Sequence, residues 1–163
     1  MVIKLADADA VIARQKVVVR DMAWQAKLNS TETGWFEARM PLRFIEDEEV
    51  PEQLFAVVQW KKGDKAIPEQ WTFGVIYQGE RIIAYDIQPL GGHVNHKGKG
   101  RPHYQQPVDG VHVHTYSADG SGYAEPLNVP DNVEVIWAMF CKRAGIVRSD
   151  FIDPNSGQQE LEI

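Results

Sequence analysis

Residues 35–45, WFEARMPLRFI, constrain the fold of this chain more than any other stretch. Phe36, Ala38, Met40, Leu42 and Phe44 alternate with Glu37, Arg39 and Arg43. A period of two places the first set on one face of a strand and the charged set on the other. That is a half-buried strand of an antiparallel sheet with one open face. Residues 16–28 are expected to form its hairpin partner. Val17, Val18 and Val19 are β-branched, and Met22, Trp24, Ala26 and Leu28 then alternate with Ala23, Gln25 and Lys27. Residues 29–34, NSTETG, would be the connecting turn. Strands are expected at 54–60, 71–77, 81–87 and 111–116. The basic segment 61–65, the turn Gln78-Gly79-Glu80 and the flexible turn 118–122 lie between or after them.

Two helices complete the expectation. Residues 6–15 suit a short first helix capped by Asp7 or Asp9. Residues 131–145 suit a longer one, with Asp131 as N-cap and Glu134 three residues on. Val133, Ile136, Trp137, Phe140 and Ala144 recur at helical spacing, Lys142 and Arg143 suit the C-terminal end, and Gly145 suits the residue beyond it. Trp137 and Phe140 are expected to lie on the sheet, and Cys141 to be inert packing. The fold class is therefore α+β: a twisted antiparallel sheet of about six strands, with barrel-like closure left open, and one main C-terminal helix packed on it. Residues 1–153 are expected to form a single domain, with 154–163 a flexible tail.

A length of 163 residues fits one domain with a real core. The apolar runs are only a few residues long, so no membrane span is expected. The N-terminal residues lack the apolar core of a signal peptide, and one cysteine cannot form an internal disulfide. These features point to the cytoplasm. The formal charge of -6 argues against a protein that coats nucleic acid broadly, while leaving room for a local basic cleft.

Residues 91–116, GGHVNHKGKGRPHYQQPVDGVHVHTY, run against that acidic background. All five histidines lie here: His93, His96, His103, His112 and His114. The first half is loop-like, since Gly91, Gly92, Gly98, Gly100 and Pro102 forbid a regular helix or strand. The second half reads as a strand. Its alternation gives Val111, Val113 and Thr115 to one face and His112, His114 and Tyr116 to the open one. The bland reading is a His-rich surface hairpin; the functional one is a reaction or ligand site.

Metal-free phosphodiester cleavage uses most of these residues. It needs a general acid, a general base and cations for the developing phosphate charge. His112 and His114 would divide the acid–base work, with Tyr116 beside them. Lys97, Lys99, Arg101, His93, His96, His103 and Tyr104 would hold phosphate or substrate, Tyr104 by stacking on a base. No cofactor is required, because RNA can attack itself through its 2′-hydroxyl. A divalent metal such as zinc is the alternative. His112, His114, His93 and His96 would then be its ligands, with Asp109 and Asp119 the nearest carboxylates. The His-X-His pair has a likeness to cupin-type metal strands, although Gln106 and Asp119 stand where a Gly and a Glu are expected. There is no Gly-X-Ser-X-Gly, and Gly98-X-Gly100 is not a nucleotide fingerprint.

The run from Phe73 to His114 resembles small bacterial proteins related to TumE-type toxins. The matching residues are Tyr85, Asp86, Gly91, Gly92, His93 and His96, with Arg81-X4-Asp86 before them and a His-X-His strand (110–116) after. Phe140-Cys141 at the end of the helix also looks similar, so the resemblance covers the C-terminal two thirds. It implies a toxin-like ribonuclease and a partner antitoxin. RNA- or nucleotide-directed phosphodiester cleavage is thus the leading expectation. The alternatives are a non-enzymatic inhibitor or protein-binding module, using the acidic segment 46–52, and a His-X-His metal-dependent small-molecule enzyme.

Overall fold

The computed structural model describes residues 3–27, 34–87, 89 and 91–155. The chain begins with helix α1 (Leu5–Ala13), strand β1 (Lys16–Val18) and the short β2 (Gln25–Ala26). Four long strands follow: β3 (Trp35–Phe44), β4 (Leu54–Lys61), β5 (Gln70–Tyr77) and β6 (Glu80–Ile87). Then come β7 (His93–Val94), β8 (Pro107–Val108), β9 (His112–Ser117) and β10 (Gly120–Pro126). Helix α2 (Val133–Ala144) and β11 (Ile146–Arg148) close the sequence of elements. The sheet order is β10-β9-β6-β5-β4-β3-β1-β11, with β2 paired to β3 off this path. It curls into a half-barrel and is mixed, because β11 runs parallel to β1.

The alternation in β3 has the expected result: Ala38, Met40 and Leu42 are fully buried. With Leu54, Ala56, Val58, Trp60, Phe73 and Val75 they form the core face of the sheet. Helix α2 lies on this face. The Phe73 ring meets Trp137 at 5.2 Å and Phe140 at 5.9 Å, and Tyr85 meets Phe140 at 5.1 Å. Edge-on aromatic packing of this kind stabilises beyond area burial alone. Cys141 is buried beside them, and burial pushes its thiol up to about 12, which keeps it unreactive.

Several expectations are corrected. The sheet is larger than six strands and not wholly antiparallel. One added strand is β10: only Ala118 and Asp119 turn, and residues from Gly120 pair back onto β9 across a bulge between Gly120 and Tyr123. Glycines at positive φ, Gly120 and Gly122, read as flexibility but carry that bulge. The other is β11, whose parallel pairing with β1 no local pattern announces. The single strand expected over 16–28 is broken into β1 and β2. Helix α1 takes no side-chain cap from Asp7 or Asp9, since it already begins at Leu5 after Lys4. Helix α2 is capped by Asn132 rather than Asp131: the Asn132 side chain accepts from the N–H groups of Glu134 and Val135. Gly145 ends α2 in the left-handed conformation, as expected. Residues 29–33 of the expected turn and 156–163 of the expected tail lie outside the described residues. Among the described residues no helix is long and apolar enough to cross a membrane.

Candidate metal centre

Directly opposed residues of paired strands share a face. On the face away from α2, one such row reads Glu37, Gln59, Thr72, Asp86, His112 across β3, β4, β5, β6 and β9. The next row reads Arg39, Val57, Gly74, Ala84, His114. Register therefore brings Asp86 against two histidines that lie far from it in sequence.

The three side chains converge closely. His114 Nε2 lies 2.9 Å from Asp86 Oδ2, and His112 Nε2 lies 3.1 Å from the same oxygen. The two Nε2 atoms are 3.1 Å apart. The other Asp86 oxygen accepts from Thr72 Oγ1 at 2.9 Å. His112 Nδ1 donates to the Gly110 carbonyl at 2.8 Å, which turns its Nε2 lone pair toward the cluster. His114 Nδ1 has no partner. The imidazoles are 4% and 7% exposed and the carboxylate 20%, so the opening to solvent is on the Asp86 side.

Burial opposes ionisation of Asp86. The hydrogen bonds from His112 and His114, with the charge of Arg81, outweigh it and hold the carboxyl well below the usual range. Burial also opposes charge on both histidines. At His112 the Asp86 and Gly110 hydrogen bonds win, and the pKa is raised. At His114 burial wins with the help of Arg81 and His112, and the pKa is lowered. Protons alone satisfy the cluster poorly. Protonation of both Nε2 atoms sets two N–H groups facing each other across 3.1 Å, while a single proton leaves a lone pair against the carboxylate. With the Nε2 atoms deprotonated, a cation above the triangle would meet all three lone pairs at once. Ligand atoms about 3 Å apart are close enough for one ion to be held by all three. Asp86, His112 and His114 form a group that could hold a metal ion.

The candidate residues divide by position. His93 comes close from β7: its ring stacks on His112 at 5.8 Å and meets His114 edge-on at 5.0 Å, and its Nε2 bonds the Gly122 carbonyl at 2.7 Å. The open-face expectation is corrected on two points. His112 and His114 are buried rather than open. Tyr116 is not with them; it lies in the α2-side core and its hydroxyl donates to the Ile3 carbonyl. Strand β9 loses its alternation where its pairing with β6 ends at Thr115. The carboxylate of the cluster is Asp86, not Asp109 or Asp119, the latter being bonded to the backbone N–H of Gly98 and Lys99.

The glycine-rich half of the stretch is not structureless. It forms a flap, with β7 and β8 paired and folded onto β10. Arg101 lies over the Tyr123 ring at 3.8 Å, bonds Ser117 Oγ at 3.0 Å and approaches Glu125 at 3.6 Å, so it holds the flap down. The His103 backbone N–H bonds the Tyr123 hydroxyl, Tyr104 is half-buried, and His96, Lys97 and Lys99 are exposed. In the acidic segment, Glu46 and Asp47 pair with Arg14.

Asn95 pins the flap. Fully buried, it donates to the carbonyls of His103 and Ala124 and accepts from the Ala124 N–H. Asn95→Ala is expected to destabilise the flap by about 2–3 kcal/mol, since it strands buried backbone groups. Amide exchange should then quicken at 91–110 and leave β4 and β5 protected; unchanged flap exchange would refute the pinning role.

Asp86, Thr72, Arg81 and Asn95 were missed as site residues by sequence reasoning. Arg81 and Asp86 stood only among the residues of the TumE-type resemblance, with no site role; Asp86 is also marked as an acid inside the apolar strand IIAYDI. No protein-family model, curated protein or solved structure matches this chain.

Proposed function

We propose that this chain hydrolyses a phosphodiester, of RNA or a nucleotide, with a divalent metal ion held by Asp86, His112 and His114. One observation carries the reading: three candidate ligand atoms converge 2.9–3.1 Å apart on the sheet face away from α2. The same spacing disfavours direct acid–base work by the two histidines. A phosphate cannot stand between Nε2 atoms 3.1 Å apart. Three protein ligands on one side leave positions free for water and substrate. Such an ion lowers the pKa of a water and neutralises charge on a phosphoryl oxygen.

The remaining chemistry falls to the chain. His93 donates through Nε2 to Gly122, which leaves Nδ1 as its acceptor for a proton from the attacking water. The water oxygen bonds to phosphorus, the ester P–O bond breaks with its electron pair on the leaving oxygen, that oxygen takes a proton from solvent, and His93 returns its proton to solvent. Lys97 and Lys99, exposed on the flap, suit the flanking polyanion. An RNA substrate and a protein partner that silences the activity, as the TumE-type resemblance implies, belong to the same proposal.

The test is manganese or zinc titration of the purified protein by calorimetry, beside cleavage of bis(p-nitrophenyl) phosphate and a structured RNA with and without chelator. Stoichiometric binding and chelator-sensitive cleavage are expected. Cleavage that persists in chelator, by a protein that binds no metal, would overturn the metal reading and return the chemistry to the histidines.

A further inference from the structure

Beside the metal centre the sheet carries a second set of features that coordination does not use. Strand β6 contains a bulge: Val75 pairs with Ile83 but Ile76 pairs with Arg81, so Ile82 is the extra residue. Without it, position 81 would follow 83, 85 and 87 onto the α2-side face. With it, Ile82 sinks into the core, fully buried, and Arg81 turns onto the face of Asp86, His112 and His114. The turn has an electrostatic result, since the Arg81 charge acts on all three of those groups. Yet among the described residues the Arg81 guanidinium makes no hydrogen bond and no ion pair. Arg39 and Arg101, by contrast, are committed to Glu37 and to the flap.

The floor between Arg81 and the centre is built of small residues. Next to His114 in its row stand Ala84 and Gly74, before Val57. A side chain at Gly74 would not be forbidden by the backbone: its Cβ would sit 3.6 Å from the Ile83 carbonyl, 3.7 Å from Ala84 Cβ and 3.8 Å from Arg81 Cδ, all ordinary contacts. The fold therefore does not need a glycine here; Gly74 and Ala84 lie buried, with the Arg81 stem passing over Gly74 toward the row of His114. A bulge that turns a half-buried, unpaired arginine toward a metal centre, across a floor free of large side chains, has the form of an anion subsite.

We infer that Arg81, over the floor of Gly74 and Ala84, is the substrate-positioning residue that takes a phosphate group bridging from the metal centre. The inference rests on the metal reading above and adds the place and chemistry of substrate binding. Arginine suits the role because its planar fork donates two parallel hydrogen bonds to phosphate oxygens, which lysine cannot reproduce. Asp86 keeps its carboxylate turned to Thr72, His112 and His114, so it does not compete for the guanidinium.

The experiment uses manganese-loaded protein and inorganic phosphate as the probe. Phosphorus relaxation by the bound manganese reports phosphate at the centre, and calorimetry reports the manganese affinity separately. Arg81→Gln is expected to weaken phosphate binding at least about tenfold with manganese affinity unchanged, and Arg81→Lys to restore only part of it. Gly74→Val puts a branched side chain under the Arg81 stem, displaces it from this floor, and is expected to weaken phosphate similarly, again without loss of manganese. With bis(p-nitrophenyl) phosphate, both variants should raise KM more than they lower kcat. Phosphate binding equal to wild type in Arg81→Gln and Gly74→Val, with manganese bound, overturns the subsite and leaves the metal centre standing. Failure of the wild type to bind manganese removes the centre and the subsite together.

Discussion

Asp86→Asn is expected to lower manganese or zinc affinity by more than about a hundredfold, and phosphodiester cleavage with it. The reason is charge and geometry together. Asp86 would supply the anionic ligand of the triangle, and its Oδ2 is the atom both imidazoles approach. The amide keeps the shape but loses the charge, and its NH2 group meets the Nε2 atoms in one of two orientations. Replacement of an outer partner costs less, typically about 10–100-fold in metal affinity. Thr72→Val removes only the hydrogen bond to the distal Asp86 oxygen, so it should fall in that lower range. Stability offers a readout free of catalysis. A ligand at a hundred times its dissociation constant adds about 2.7 kcal/mol to the folded state. Metal should therefore raise the Tm of the wild type by several degrees and leave that of Asp86→Asn unmoved. An equal rise in both would show that the ion binds elsewhere.

Lys16→Met is expected to lower stability by about 2–3 kcal/mol at neutral pH, the cost of stranding buried carbonyls. Lys16 is fully buried, and its ammonium donates to the carbonyls of Val11, Ile12 and Arg14 at the end of α1. Those carbonyls carry the negative end of the helix dipole, and α1 has no basic residue of its own in its last turn. Gly145 completes the junction: a Cβ there would lie 2.6 Å from the Ile12 carbonyl oxygen and 2.7 Å from that of Arg14. Burial, and then the charge of Arg14, pushes the Lys16 ammonium down to about 8 from its ordinary 10.5. Below pH 8 the folded and unfolded chains both hold the proton, and the cost of burying the charge is present in full. Between pH 8 and 10.5 only the unfolded chain holds it, so folding gains as pH rises. The deficit of Lys16→Met relative to wild type should therefore widen across that window. Urea unfolding at pH 7 and pH 10 measures it, and a deficit that narrows with pH would contradict the account.

The two sites differ in how far they could be read from the chain. Two histidines one residue apart on a strand must share a face, so their pairing followed from backbone geometry. Their carboxylate did not follow. Asp109 and Asp119 are nearer in sequence, but strand register rather than chain distance chose Asp86. Basic residues within the histidine stretch were legible as a cluster, yet a cluster in sequence does not say which cations are engaged. Arg101 is spent on Tyr123, Ser117 and Glu125, while Arg81, outside the stretch, is unpaired among the described residues.

By itself, the sequence determined the half-buried strands from β3 to β6, the core face of the sheet, and the placing of Trp137 and Phe140 upon it. It also set the C-terminal stop of α2 at Gly145. Each follows from a period of two or 3.6 residues or from one residue's backbone preference, all of which are local. Tertiary structure alone decided the parallel closure by β11, the departure of Tyr116 from the face of His114, the burial of Lys16 and the turning of Arg81 by a one-residue bulge. These depend on which strand lies beside which and in what register. Register is set by the packing of whole faces, and one extra residue such as Ile82 reverses the face of everything before it.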